Sequence, residues 1–345
     1  MAKRARGRHI AANELALRPM SELRTEPAPS RFLLPLLAGV VVLLALLGCS
    51  PALSQQPESV LGGDESAYVD AAACAGCHAE IAASYAQTGM ARAFDAATPE
   101  SMAHLGADTT FNHDKTGHSY QISQRDGAYY MQRHETAPDG SPTNVFEMRI
   151  DYIMGSGNHA RSYVHQYSNG KLIEMPVGWY AENGGFLAMS PGFDSANHRG
   201  FRREIGFDCF GCHNGLSTFE RGTDDRRRDP LFPGNLDRGI DCQRCHGPGL
   251  AHVEAASKGS DPALLRAAIF NPSHASRDRQ IEVCMQCHLE TTSRLLPHAV
   301  ERFGRGAYSY RPGEPLSDFI LHFDYPEGVR EDRFEIAHAV YRLRK

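Results

Sequence analysis

The segment Cys242-Gln-Arg-Cys245-His246-Gly-Pro-Gly-Leu-Ala-His252 contains two cysteines three positions apart, followed at once by a histidine. The same Cys-x-x-Cys-His pattern occurs three more times in this 345-residue chain. The other copies are Cys74-Ala-Gly-Cys77-His78, Cys209-Phe-Gly-Cys212-His213 and Cys284-Met-Gln-Cys287-His288. Eight of the nine cysteines therefore belong to one repeated motif.

This motif is typical of covalent attachment of c-type haem. The two thiols can form thioethers with the vinyl groups of a porphyrin, and the adjacent histidine binds the iron as its proximal ligand. Zinc sites or disulfides would use the cysteine pairs but would not explain a histidine after every pair. We therefore expect four covalently bound haem c groups, with His78, His213, His246 and His288 as proximal ligands.

The motifs are separated by 135, 33 and 42 residues, so three lie close together in the second half of the chain. An isolated haem could not pass electrons to the others. We therefore expect the first motif to pack back against the three-motif segment.

The sixth ligands of the irons are less determined by the sequence than the proximal ones. His252 follows a Gly-Pro-Gly turn that reverses the chain, so it is expected to bind the iron of a neighbouring haem rather than that of its own motif. His159 lies on a glycine-rich turn, and Met90 follows a helix-like stretch that ends at Gly89. The remaining candidates are His322 and His338. Each of these residues has an ordinary alternative as a surface or core side chain.

The N-terminal segment predicts export from the cytoplasm. Residues 1–48 contain seven Lys and Arg and three Asp and Glu. All of these charges precede the uncharged apolar run 32–48. Three fates are open: a lipobox ending at Cys49, cleavage after Ser54, or an uncleaved anchor. All three place the globular part outside the cytoplasm, in the bacterial periplasm. Met20 offers an alternative start.

The net charge of −5 is divided unevenly, because residues 1–48 carry +4 and the rest carries −9. An acidic globular part does not offer the basic face that phosphates require, so nucleic acid is not an expected partner. Redox proteins and, through the N-terminal anchor or lipid, the membrane are the expected partners.

The expected fold class is α+β, with short helices and loops wrapped around four haems and an antiparallel β insertion between the first and second motifs. Asp-Gly or Asn-Gly pairs at 126–127, 139–140 and 169–170 predict hairpin turns in that insertion. A helix is expected from Arg333 to Arg344. The expected segments are 1–31 (basic region), 32–49 (signal or anchor), 50–66 (linker), 67–105 (first haem), 106–205 (β-rich), 206–297 (three haems) and 298–345 (C-terminal, supplying sixth ligands).

The chain resembles the multihaem cytochromes related to cytochrome c-554, in the bacterial branch whose longer members carry tetratricopeptide repeats. The resemblance covers residues 67–345. It rests on CAGCHAEIAASYAQTGMARAF, DYIMGSGNHARSYVHQYSNGKLIEMPVGWYAENGGF, GIDCQRCHGPGLAHV, EVCMQCHLETTS, RPGEPLSDFILHFDYPEG and FEIAHAVYRLRK.

The resemblance implies His252 as a distal ligand, and it raises Met90 as a candidate because a histidine ligand often stands there in the family. Longer relatives continue past the final segment into a further haem motif, so a short form or a truncated reading is expected here.

Two functions from different classes are compatible with these residues. The first is electron transfer between a membrane-side donor and an extracytoplasmic acceptor. The second is a multihaem oxidoreductase of the nitrite or hydroxylamine type, in which one iron keeps an open position beside Arg161, Tyr163 and His165. A third interpretation makes the β insertion a docking module for redox partners.

Overall fold

A computed structural model describes the ranges 67–106, 109–215, 229–236, 238–288 and 299–322. Several sequence-based expectations fall outside these ranges. They are the segments 1–31, 32–49 and 50–66 with Met20 and Cys49, the ligand candidate His338 and the helix from Arg333 to Arg344. Within the described ranges, no helix has the length and apolar character needed to cross a membrane.

Two short helices carry the first motif, α1 (Ala71–Cys77) and α2 (Ala79–Tyr85). The Asp70 carboxylate caps α1, because it accepts a hydrogen bond of 2.8 Å from the Ala72 N–H. His78 separates the two helices with φ −112° and ψ 44°. The first motif therefore ends where the helical path of α1 is broken.

A four-stranded antiparallel sheet follows, in which chain order and spatial order agree. Its strands are β2 (Thr110–His113), β3 (His118–Arg125), β4 (Ala128–Thr136) and β5 (Pro142–Ile150). Asp126 and Gly127 join β3 to β4 with φ values of 50° and 78°, as a type I′ turn requires. Gly140 and Gly170 also have positive φ and close hairpins, so the three predicted turns are confirmed.

A second, six-stranded sheet has the spatial order β1-β6-β7-β8-β10, with β9 also paired to β8. Its strands are β1 (Phe94–Ala96), β6 (Tyr152–Met154), β7 (Ala160–Gln166), β8 (Leu172–Tyr180), β9 (Phe186–Met189) and β10 (Arg203–Glu204). Strand β1 comes from the segment of the first motif and pairs with β6. The sheet thus begins before the expected β-rich segment and ties that segment to the first motif.

The second sheet is buried on both faces. On one face Tyr163 and Met175 share a core with Tyr120 and Met131 of the four-stranded sheet. On the other face Phe94, Tyr152, Val164 and Leu172 pack against Phe210, Phe232 and Tyr308. Strand β8 is accordingly buried without alternation from Leu172 to Gly178, as expected for a strand covered on both sides.

The second half of the described chain consists of short helices and loops. The helices are α3 (Phe207–His213), α4 (Gln243–His246), α5 (Leu250–Ser257), α6 (Pro262–Ala267) and α7 (Arg277–His288). A small antiparallel pair, β11 (Ala299–Glu301) and β12 (Ile320–His322), follows them. The described chain therefore mixes helices with antiparallel sheet, which confirms the α+β class.

Candidate cofactor-binding site

All four Cys-x-x-Cys-His motifs occupy the C-terminal end of a short helix. Helices α3, α4 and α7 each end at the histidine of their motif, and α1 ends one residue before His78. Residues three and four positions apart lie on one face of a helix. In each motif, one planar group can therefore contact both cysteines and the histidine from the same side.

The first motif packs against the third. The buried Gln243 side chain receives a hydrogen bond of 3.0 Å from the Val69 N–H and donates one of 2.7 Å to the Val69 carbonyl. The Tyr85 hydroxyl donates a hydrogen bond of 2.8 Å to the Ile240 carbonyl. The Cys74 thiol interacts with the Cys242 thiol. The expectation that the first motif returns to the cluster is confirmed.

A pair of imidazoles joins these two motifs. The rings of His78 and His252 have centroids 6.3 Å apart and planes inclined by only 18°. His78 belongs to the first motif, whereas His252 lies on α5, just after the third. Gly247, with φ 75°, ends α4 and lets the chain turn into α5.

The Nδ1 atoms of two histidines in or near the third motif are hydrogen-bonded to backbone carbonyls. His252 Nδ1 lies 2.9 Å from the Leu265 carbonyl oxygen, and His246 Nδ1 lies 2.9 Å from that of Phe270. Because a carbonyl can only accept, Nδ1 carries the proton in both rings and Nε2 keeps its lone pair. This is the arrangement in which an imidazole is oriented for metal binding.

The second and fourth motifs also meet. A hydrogen bond between the Cys212 and Cys287 thiols lowers the pKa of Cys287, and the nearby Arg244 guanidinium lowers it further, although burial opposes this. Burial, together with the neighbouring His288, lowers the pKa of His213. Burial also raises the pKa of Cys209 to about 12. The third motif also contacts the fourth, because the Gln286 side chain donates a hydrogen bond of 2.8 Å to the Arg244 carbonyl, so the four motifs lie in one cluster.

Several buried polar atoms in and beside the second, third and fourth motifs have no hydrogen-bond partner within the described residues. Among them are the three atoms Arg244 Nε, Tyr308 Oη and Gln286 Oε1. Buried polar groups are nearly always satisfied in folded proteins. Two of the three atoms are donors, so the motif cluster offers buried donors to a polar group such as a cofactor carboxylate. The residues present therefore fit a covalently bound haem.

Comparison with family models, curated proteins and solved structures found no match.

Within the described ranges, no three His, Cys, Asp or Glu side chains form a metal-binding set. The zinc alternative requires four protein ligands around one ion, usually drawn from two cysteine pairs. The described residues do not supply such a set.

The other sixth-ligand candidates are placed differently from His252. Met90 is 43% exposed, and its carbonyl accepts a hydrogen bond of 3.0 Å from the Ile240 N–H, beside the third motif. His159 is exposed, on a turn whose Asn158 lies against Gly89. His322 is half-buried at the end of β12. Met90 and His159 thus lie on neighbouring segments, and their roles stay predictions.

The three residues considered for an open-iron pocket do not share one site. Arg161 Nη1 lies 2.6 Å from His104 Nδ1, and the Tyr163 hydroxyl lies 2.9 Å from His104 Nε2. His165 instead lies 2.7 Å from an Asp151 carboxylate oxygen. Within the described residues, no hydrogen bond or ion pair links these side chains to a motif.

Sequence reasoning missed two residues of the site region, Arg244 and Gln243, and, away from the motifs, the half-buried His104. Arg244 and Gln243 are the variable positions of the third motif, and nothing in the pattern indicates that both side chains are buried. Burial and the adjacent Arg161 lower the pKa of His104 to about 4. No sequence signal marked His104, because its contacts depend on a strand that lies far along the chain.

Proposed function

We propose that this chain is a tetrahaem c-type cytochrome that carries electrons between a membrane-side donor and an extracytoplasmic acceptor. Its short helices would wrap around four covalently bound haems. The proximal ligands would be His78, His213, His246 and His288. The observation that carries the proposal is the His78–His252 pair.

The centroid separation of this pair matches that of two imidazoles bound to one metal ion. A metal–imidazole bond of about 2.0–2.1 Å and a ring radius of about 1.1 Å put the centroids of two opposed imidazoles about 6.3 Å apart. The observed separation is 6.3 Å, and the rings are nearly parallel. His252 would therefore be the sixth ligand of the iron held by the first motif.

Haem supplies one-electron chemistry when it is bound, and the protein supplies ligands, orientation and burial. The contacts of Gln243 with Val69 would hold the first and third motifs together. The approach of Cys212 to Cys287 would do the same for the second and fourth. A cluster in which each motif touches another suits a relay, because each redox group needs a near neighbour.

The relay is favoured over the oxidoreductase by the position of Arg161, Tyr163 and His165. An open catalytic iron requires acid or base groups beside it. Tyr163 is instead fully buried in the core between the two sheets. His165 is paired with Asp151.

The proposed location is the periplasmic side of a bacterial membrane, reached through the N-terminal segment as an anchor or a lipoprotein. c-Type haem is attached outside the cytoplasm, so the location and the cofactor support each other.

Two measurements on the full-length chain, produced with a haem-attachment system, test the proposal. The denatured protein should carry the mass of four covalent haems. Its low-temperature EPR spectrum should show low-spin haems only. A chain without covalent haem mass would overturn the cofactor, whereas a high-spin component that binds nitrite or carbon monoxide would favour the oxidoreductase.

A further inference from the structure

The Arg244 side chain is buried between three motifs. It is only 6% exposed, although arginine is rarely buried without a partner. Its Nη2 donates a hydrogen bond of 2.7 Å to the carbonyl of Gly211 in the second motif. Arg244 itself belongs to the third motif, and its guanidinium neighbours Cys287 of the fourth.

This guanidinium makes no direct ion pair with a described carboxylate, although the nearby Asp241 carboxylate acts on it electrostatically. Gly211 contributes a neutral carbonyl, and no ion pair joins Arg244 to a described acid. Asp241 accepts a hydrogen bond from the Arg244 main-chain N–H. In a haem-loaded chain Cys287 would be a thioether, which carries no negative charge. A buried, unpaired cation is costly, so an anion is expected to accompany it.

Tyr308 adds a second donor at the same place. The Arg244 Cζ atom stands 4.9 Å from the centroid of the Tyr308 ring. The Tyr308 hydroxyl and Arg244 Nε are both buried and both without a partner among the described residues. A guanidinium edge together with a hydroxyl is a donor set suited to a carboxylate.

We infer that Arg244 and Tyr308 form a binding site for a carboxylate, and that this carboxylate is a propionate of a haem attached to the second or fourth motif. The inference rests on the proposed function, because that function supplies the carboxylate. Arg244 is then a positioning residue that holds the haem edge and neutralises its charge. A positive charge beside an iron disfavours the oxidised state, so Arg244 raises the reduction potential of that haem.

Spectroelectrochemical titration of the haem-loaded full chain tests this site. Arg244→Gln should lower the midpoint potential of one haem and leave the others unchanged. Tyr308→Phe should produce a smaller shift in the same direction, and Arg244→Lys should recover most of the loss. Arg161→Gln, which removes a half-buried arginine away from the motifs, is the matched control and should shift nothing.

Infrared redox-difference spectra separate carboxylate binding from a general charge effect. With haem labelled by ¹³C in its carboxyl groups, the labelled band should move in Arg244→Gln. The site is overturned if haem-loaded Arg244→Gln protein keeps all four midpoint potentials and the labelled band unchanged. If Arg244→Gln does not take up haem, Tyr308→Phe decides: a lowered potential supports the site, and unchanged potentials overturn it. A wild-type chain without covalent haem would instead overturn the proposed function.

Discussion

The imidazole of His78 lies nearly parallel to that of His252, with 6.3 Å between ring centroids and 18° between ring planes, although the two residues are 174 positions apart. Neither ring reaches this position by local geometry. The Gln243 side chain holds the backbone before α1 against the third motif, and the turn at Gly247 directs α5 back toward the first. Several contacts thus link helices α1 and α2 to the third motif.

The first prediction concerns the His252 side chain. In the proposed tetrahaem protein, His252→Ala should convert one haem from low-spin to high-spin, because the iron of the first motif would lose its sixth ligand. The EPR spectrum and carbon monoxide binding of the loaded protein measure this change. His274→Ala is the matched control, since His274 is exposed on a short 3₁₀ helix. An unaltered EPR spectrum in His252→Ala would show that the two rings merely stack.

The sequence predicts those features that depend on local chemistry. Asp126-Gly127 indicates a hairpin because both residues must adopt positive φ, and the structure places them so. The spacing within Cys-x-x-Cys-His predicts one shared helix face for each motif. By contrast, β1 contains three residues, too few to show an alternating pattern, and its strand character comes from pairing with β6.

Arg244 shows why the remaining features were not predictable from the sequence. A position between two cysteines carries no pattern of its own, and arginine is usually exposed. Its burial arises only when Gly211, Cys287 and Tyr308 are brought around it. Tertiary contacts likewise determine that the ring next to His252 is that of His78. The sequence predicted only that His252 would bind the iron of a neighbouring haem.

The second prediction concerns the hairpin between β3 and β4. Gly127→Ala should lower the free energy of unfolding by about 1 kcal/mol, because a Cβ atom disfavours the left-handed conformation at φ 78°. Chemical denaturation followed by circular dichroism measures the effect. Gly106→Ala is the control, because Gly106 has no positive φ and no atom within 4 Å of an added Cβ. Equal stabilities of the two variants would contradict the turn assignment.

The third prediction concerns the link between the first and third motifs. Gln243 accepts hydrogen bonds from the Val69 and Gly249 N–H groups at 3.0 and 3.1 Å and donates one to the Val69 carbonyl. Gln243→Ala removes all three in a buried place and should cost about 2–4 kcal/mol of stability. Denaturant titration measures this cost, and Gln124→Ala on the exposed face of β3 serves as the control. A loss below about 0.5 kcal/mol would show that Gln243 does not hold the two motifs together.

The fourth prediction concerns the pH dependence of stability through His104. Burial first, and the adjacent Arg161 second, lower the pKa of His104 from 6.5 to about 4. The unfolded chain therefore binds a proton at this residue at a higher pH than the folded chain does. The stability contributed by neutral His104 is complete above pH 6.5 and is lost as the pH falls toward 4.

His104→Gln should consequently weaken the fall in stability between pH 6.5 and 4 by about 1–3 kcal/mol, with the partial exposure of the ring reducing the effect. Urea titrations across this range measure the difference from wild type, and NMR titration of the His104 ring should give a pKa near 4. His274→Gln, an exposed histidine away from this contact, should leave the profile unchanged. Because Arg161 also faces the ring, Arg161→Gln should raise the pKa of His104. An identical pH profile in His104→Gln and wild type would mean that the ring gains a proton as readily in the folded chain as in the unfolded one.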